Sequence, residues 1–186
     1  MRREVLEGRH AVRYDEGLVV AQDYLLWHQL LKHTKGANLP ECLVRYRVSS
    51  EQLTTVRAEL KRKEGEQVRL SVLQDLGIEP SASDQSLHTS VLGYNWPETP
   101  EFFESARKWL ETLHRANEKS ALFPQSAFAR MLAKHFFFQC LCASRRGFPG
   151  DQFYSKLSFS SIYSPSFGEK VRIRTKTLLK PAGRGN

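Results

Sequence analysis

The chain has 186 residues, of which 40% are hydrophobic and 11% aromatic, so it can bury a sizeable core, and general disorder is excluded. Lysine and arginine outnumber aspartate and glutamate by 28 to 20, which gives a formal net charge of +8. The excess lies in the last quarter: residues 145–186 carry nine positive and two negative side chains, a net charge of +7, and such a one-sided distribution attracts anions.

The first part of the chain predicts two short strands with a helix between them. Residues 9–14 and 43–48 are the candidate strands, and the second of them alternates side chains with the period of a half-buried strand. Between them, apolar residues recur at helical spacing from Asp15 to Gly36.

A longer helical region is expected next. Ser49 and Gln52 form a capping-box pattern, from which a helix should run to Gly77 with a break or bend at Gly65. Residues 78–99 are rich in serine and proline and show no steady period, so they predict a long loop or linker.

Two strong helices follow this loop. Thr99, Pro100 and Glu101 are typical of a helix start, namely a cap, a first-turn proline and a first-turn acid. This helix is expected over residues 100–117, and a second one, apolar nearly all round in its later half, over residues 124–143.

The last segment predicts a β-hairpin. Aromatic and β-branched residues favour strands near 153–163 and 170–179, joined by turn residues, and residues 181–186 should form a loose tail. The predicted fold is therefore α+β, with a helical body of four to five helices over residues 1–150 and a small antiparallel sheet. The sheet includes the C-terminal β-hairpin of residues 151–180, packed on the same domain.

The second predicted strand carries a row of positive charges. Every even position from 170 to 176 is basic: Lys170, Arg172, Arg174 and Lys176. On a strand these side chains would share one face and repel one another, unless an anion binds there. A nucleic acid would bring phosphates to this face, and aromatic neighbours could stack on exposed bases, which favours RNA or single strands over duplexes. The full set of predicted contact residues adds Lys156, Arg145, Arg146, Arg45, Arg47, Tyr154 and Tyr163.

The basic strand has alternative roles that do not involve nucleic acid, one of which is pairing with acids of the body such as Glu98, Glu101, Glu104 or Asp84. Positive side chains on an edge strand also prevent aggregation between sheet edges. Alternatively, the strand could dock on an acidic protein partner within a larger assembly, where it would add to the partner's sheet.

The order of helix 100–117, helix 124–143 and a basic hairpin resembles that of winged-helix DNA-binding domains. The resemblance covers residues 99–179 and implies that the second helix would enter the major groove. Such a helix needs a polar face, which here could come only from Gln125, Ser126, Arg130 and Lys134.

Catalytic and metal-binding patterns are weak. His135 lies near Cys140 and Cys142, but thiols two positions apart on a helix point away from each other, so no metal or other cofactor is expected. A metal-free nuclease could use His10 or His114, although neither lies in a recognisable motif.

The compartment and function can be stated as expectations. An odd number of cysteines, three in all, favours a reducing compartment, and the N-terminal residues show no secretory signal. We therefore expect a cytoplasmic protein, or a nuclear one in a eukaryote, with no membrane partner. Its expected function is non-catalytic nucleic-acid binding, to RNA or DNA.

Overall fold

The computed structural model describes residues 7, 11–45, 57–93, 96–169, 171 and 173. The chain forms two compact units, Met1–Val72 and Leu73–Asn186, and the boundary falls within a helix. Six α-helices and one 3-10 helix have described bounds: α1 Gln22–Leu31, α2 Ala58–Asp75, α3 Ala82–Leu92, α4 Pro100–Ser120, α5 Gln125–Ser144, α6 Gly150–Ser155 and the 3-10 helix Ser160–Ile162.

The predicted α+β fold is wrong, because no strand occurs in the described part of the chain. Residues 153–163, predicted as the first hairpin strand, contain the end of α6 and the 3-10 helix. Val171 and Ile173, on the second predicted strand, are helical, and Ile173 is buried. Residues 11–14 and 43–45 are irregular, and the remainder of those two predicted strands lies outside the described residues. The resemblance to winged-helix domains required a β-hairpin after the second helix, so this prediction is also wrong.

A capping box explains why the C-terminal segment is helical at residues 167–169. The backbone N–H and hydroxyl of Ser166 both donate to Glu169 Oε2, at 2.7 Å and 2.8 Å, and the Ser166 Oγ accepts from the Glu169 backbone N–H at 3.3 Å. This reciprocal pair satisfies backbone donors at a helix start. A local cap therefore overrides the β-propensity of the residues that follow.

A second capping box corrects the predicted loop at residues 78–99. Ser81 caps α3: its Oγ accepts from the Asp84 backbone N–H, and the Asp84 carboxylate accepts from the Ser81 backbone N–H. Residues 82–92 are therefore helical despite their serine content, because the cap satisfies the orphan donors of the first turn.

The core of the second unit is built around α5. This helix packs against α4, α6 and the 3-10 helix, and α3 packs against α4. The predicted cap of α4 is confirmed, because Thr99 Oγ1 accepts from the Phe102 backbone N–H at 3.2 Å and Pro100 follows it. The largest fully buried side chains of α4 and α5 are Phe103, Leu110, Leu132 and Phe136.

In the first unit, α2 runs through Gly65 without the predicted break. The helical region nevertheless ends where expected, since Gly77 has φ 75° and its N–H donates to the Gln74 carbonyl. The Ser49–Gln52 cap predicted for this helix lies outside the described residues.

Glu64 of α2 holds the start of α1. Its carboxylate accepts from the backbone N–H groups of Val19, Val20 and Ala21, at 2.9, 2.8 and 2.9 Å, and its side chain is buried. Burial acts to raise the pKa of Glu64, but the three N–H donors outweigh burial and hold this pKa below its ordinary value. The charged carboxylate thus joins two elements that are far apart in sequence.

The Glu64→Gln variant should unfold more easily at neutral pH, because an amide cannot accept all three bonds. A carboxyl whose pKa is lowered by folding adds stability above its unfolded pKa, about 4.3, and that stability is lost as the pH falls through the folded value. Urea unfolding followed by circular dichroism should therefore show a difference between wild type and Glu64→Gln that shrinks towards acid pH. The exposed Glu16→Gln variant serves as the control. A difference that does not change with pH would contradict a charge-dependent contribution.

Candidate nucleic-acid interface

Five of the predicted contact residues lie outside the described residues, namely Lys170, Arg172, Arg174, Lys176 and Arg47. Their expected alignment on one face depended on the two-residue period of a strand. Val171 and Ile173 are helical, and residues two apart on a helix point in different directions. The strand period on which the predicted common face of the basic side chains depended is therefore absent at these two described residues. Arg45 is described and exposed, and it belongs to the first unit.

Two predicted basic residues of the second unit lie close to carboxylates. Arg146 forms an ion pair with Glu98. The Lys156 ammonium lies 5.4 Å from the ring centre of Phe153, and its charge helps to lower the pKa of Glu104, which is lowered mainly by a hydrogen bond from Arg107. Both positive charges are thus partly balanced within the fold, which reduces what they offer to an anionic partner.

The two predicted stacking tyrosines have structural roles. Tyr154 donates its hydroxyl to the carbonyl oxygens of Ser160 and Tyr163, at 2.9 Å and 3.1 Å, and burial raises its pKa to about 12. Both tyrosine rings pack on Phe137, with ring centres 5.1 Å and 5.7 Å away. Their rings therefore contribute to the packing beside α5, and the hydroxyl of Tyr154 closes the turn that follows α6.

The solvent-facing side of α5 carries basic and apolar side chains together. It consists of Arg130, Met131, Lys134, Phe138 and, at the C-cap position, Arg145, and all five are exposed. A helix turns about 100° per residue, so these five side chains fall within an arc of about 100°. We call this set the α5 stripe. It extends over roughly 22 Å, since each residue adds about 1.5 Å along the helix axis.

The charges of the α5 stripe are less balanced than those of α4. The segment from Gln125 to Ser144 contains no aspartate or glutamate. Neither Arg130 nor Arg145 forms an ion pair with a carboxylate of the described residues. On α4, by contrast, Arg107 lies between Glu104 and Glu111, with nitrogen–oxygen distances of 2.5 Å and 2.9 Å.

The α5 stripe adjoins the start of the basic C-terminal segment. The pKa of Glu169 is lowered, chiefly by hydrogen bonds from Ser166, and the positive charge of Lys134 also contributes. Glu169 therefore lies near Lys134 and balances part of its charge. The chain then enters residues 170–186, where no acidic residue occurs and six basic ones do.

Sequence reasoning identifies Arg130 and Lys134 but misses Phe138. Three consecutive phenylalanines, Phe136 to Phe138, are typical of a buried cluster, whereas Phe138 is 50% exposed. A signal is available, because residues 130, 134 and 138 are one turn apart and share a helix face. Because Arg130 and Lys134 on that face should be exposed to solvent, Phe138 on the same face is also expected to be exposed.

Three of the described histidines, His88, His114 and His135, make contacts within the fold. His88 is buried, and its Nδ1 accepts from Trp109 Nε1 at 3.0 Å. His135 Nε2 lies 2.6 Å from the Val91 carbonyl oxygen. His114, a nominal nuclease residue, stacks on Phe159 with ring centres 4.4 Å apart. The other nominal residue, His10, lies outside the described residues.

A cavity of about 500 Å³ opens at the turn between α4 and α5. The buried Asn117 lines it and binds both the N–H and the carbonyl of Phe123, each at 2.9 Å. Gln125 also lines it, and its side chain donates to the His114 carbonyl at 3.3 Å. The polar groups of this cavity thus hold the turn together.

Membrane spans and metal clusters do not occur in the described part of the chain. Over residues 11–45, 57–93 and 96–169, no helix is long and apolar enough to cross a membrane. These residues also bring no three histidine, cysteine, aspartate or glutamate side chains into a group that could hold a metal ion.

No protein-family model, no curated protein and no solved structure matches the chain.

Proposed function

We propose that the protein binds nucleic acid, RNA or DNA, without catalysis, through the α5 stripe and the adjoining basic C-terminal segment. The observation that carries the proposal is the exposure of Arg130 and Arg145, neither of which pairs with a described carboxylate, on a helix that has no acidic residue. The proposed contact surface is therefore a helix face and not the β-hairpin that the sequence predicted. A cytoplasmic or nuclear location is part of the same proposal.

Simple electrostatics supports this function. A protein that places basic side chains against phosphates releases condensed cations, and its affinity then falls steeply with salt. The charge excess of +7 over residues 145–186 would draw a polyanion towards this part of the chain. The stripe extends over roughly 22 Å of helix axis, which is long enough for several phosphate contacts.

An acidic protein partner is the second candidate. The observation in its favour is the pair of exposed apolar side chains, Met131 and Phe138, within the stripe. Protein interfaces combine apolar anchors with charged rims, so the same surface would suit a docking site in a larger assembly. Binding to a plain oligonucleotide distinguishes the two candidates, because only the first predicts it.

The Arg130→Gln/Arg145→Gln variant should bind oligonucleotides about tenfold more weakly at moderate salt, since two phosphate contacts are lost. Its plot of log affinity against log salt should be shallower by roughly 1.5. Fluorescence anisotropy with labelled single-stranded RNA, single-stranded DNA and duplex DNA would measure both quantities. Glutamine removes the charges without placing an acid at the C-terminal end of α5, which would be unfavourable there.

The matched control is Lys61→Gln/Lys63→Gln, which removes the same net charge from an exposed part of α2 in the first unit. It should leave the salt slope nearly unchanged. Arg172→Glu/Arg174→Glu tests the C-terminal segment separately. If wild type binds none of the three probes at low salt, the proposed function is wrong. If both glutamine variants weaken binding equally, the α5 stripe is not the contact surface.

A further inference from the structure

Phe138 occupies the middle of the α5 stripe. Its side chain is 50% exposed, whereas the neighbouring Phe136 and Phe137 are buried. Lys134 lies one turn before it and Arg145 two turns after it, so the exposed ring is flanked by positive charges along the helix. Among the described residues, no other aromatic ring stacks on Phe138.

We infer that Phe138 is a base-stacking residue and that the α5 stripe prefers single-stranded nucleic acid to duplex. This inference rests on the proposed function and names its substrate class. Single strands are typically bound by basic grooves in which bases stack on aromatic side chains, and every base has a face that can do so. The charged neighbours of Phe138 would hold phosphates on either side of the stacked base.

A duplex fits this surface less well. The bases of a duplex are stacked on one another, so their faces are closed to a protein ring. A helix that reads the major groove presents hydrogen-bonding side chains to the base edges. In the α5 stripe, Met131 and Phe138 offer no side-chain donor or acceptor to base edges, so only the basic side chains of the stripe could contact a duplex. Duplex binding would then depend on the cations alone.

The predicted aromatic contacts are replaced by this single residue. Tyr154 and Tyr163, the two aromatic residues predicted as contacts, pack on Phe137. Phe138 is half exposed, so its truncation should disturb the packing of α5 less than truncation of the buried Phe136 or Phe137 would. Loss of affinity in a Phe138 variant can therefore be interpreted as the loss of a contact with the ligand.

The Phe138→Ala variant should lose about tenfold in affinity for a short oligo(dT) or oligo(U), because one stacked base is lost. Its affinity for a duplex of equal length should change less than about twofold, since phosphate contacts remain. Met131→Ala is the matched control: Met131 is 48% exposed on the same stripe and has no aromatic ring. The Phe138→Trp variant should keep the wild-type affinity for single strands, because tryptophan also offers a ring on which a base can stack.

The outcomes separate this inference from the proposed function. If wild type binds single strands and Phe138→Ala weakens only that binding, the inference is supported. If Phe138→Ala and Met131→Ala weaken it equally, or single-strand and duplex binding fall together, the stacking role is wrong while the proposed function stands. If wild type binds neither probe, the proposed function itself fails. Circular dichroism and thermal melting of each variant show whether it is folded before binding is compared.

Discussion

Replacing Gly150 by alanine is expected to destabilise the second unit by about 3 kcal/mol, at the upper end of the usual cost of overpacking. A Cβ at this position would lie 2.2 Å from the Cys140 carbonyl oxygen and 2.6 Å from Ser144 Oγ. The carbonyl belongs to the backbone of α5 and cannot move aside as a side chain could. It also accepts a hydrogen bond from Ser144 Oγ at 2.8 Å.

Thermal unfolding should show this change as a fall in melting temperature of roughly 10 °C. Gly168→Ala is the matched control, because a Cβ there meets no atom within 4 Å and residue 168 is helical. Alanine is the better helix former, so the control should be neutral or slightly stabilising. If the two variants melt at the same temperature, α6 does not pack against α5 as closely as the structure shows.

Replacing Asn117 by aspartate should cost about 2–3 kcal/mol, which is the penalty for leaving buried polar groups unsatisfied. Asn117 is 1% exposed, and its Nδ2 donates to the Phe123 carbonyl at 2.9 Å and to Gln125 Oε1 at 2.5 Å. The Asn117→Asp variant keeps the shape of the side chain but places a carboxylate oxygen against both acceptors. It therefore tests the hydrogen bonds without leaving a cavity.

Urea unfolding at neutral pH measures this cost, and the exposed Asn38→Asp variant is the control. Protonation would give the introduced carboxyl a donor for the Phe123 carbonyl, so the loss should shrink at acid pH. A cost below about 0.5 kcal/mol, as for an ordinary surface change, would mean that the α4–α5 turn does not depend on this clamp.

Both variants concern the support of α5, which carries the proposed site. Gly150 allows α6 to approach one side of this helix, and Asn117 fixes the turn that leads into it. A rigid helix holds the stripe side chains in one register, so little conformational freedom would be lost on binding. Destabilising changes at these two positions should weaken ligand binding indirectly, whereas changes at Arg130, Arg145 or Phe138 act on the ligand contacts.

Helix starts and ends depend mainly on residues that are close in the chain, so they can be predicted from the sequence. The start of α4 follows from Thr99 and Pro100, and the end of the helical region at Gly77 follows from its left-handed backbone. The same local rules identify α3 and the C-terminal helical segment, since Ser81 with Asp84 and Ser166 with Glu169 are capping boxes. The predictions for these two segments are wrong because they give serine-rich composition and a two-residue period more weight than the caps.

The composition of the chain and the uneven distribution of its charge can be read directly from the sequence, because they do not depend on folding. Which basic residues of the described part pair with a carboxylate depends on the tertiary structure. Arg146 meets a glutamate 48 positions away, whereas Arg130 and Arg145 meet none among the described residues. The tertiary structure likewise sets which of the three adjacent phenylalanines is exposed. Burial and pairing depend on contacts between residues distant in the chain, and a local pattern does not contain those contacts.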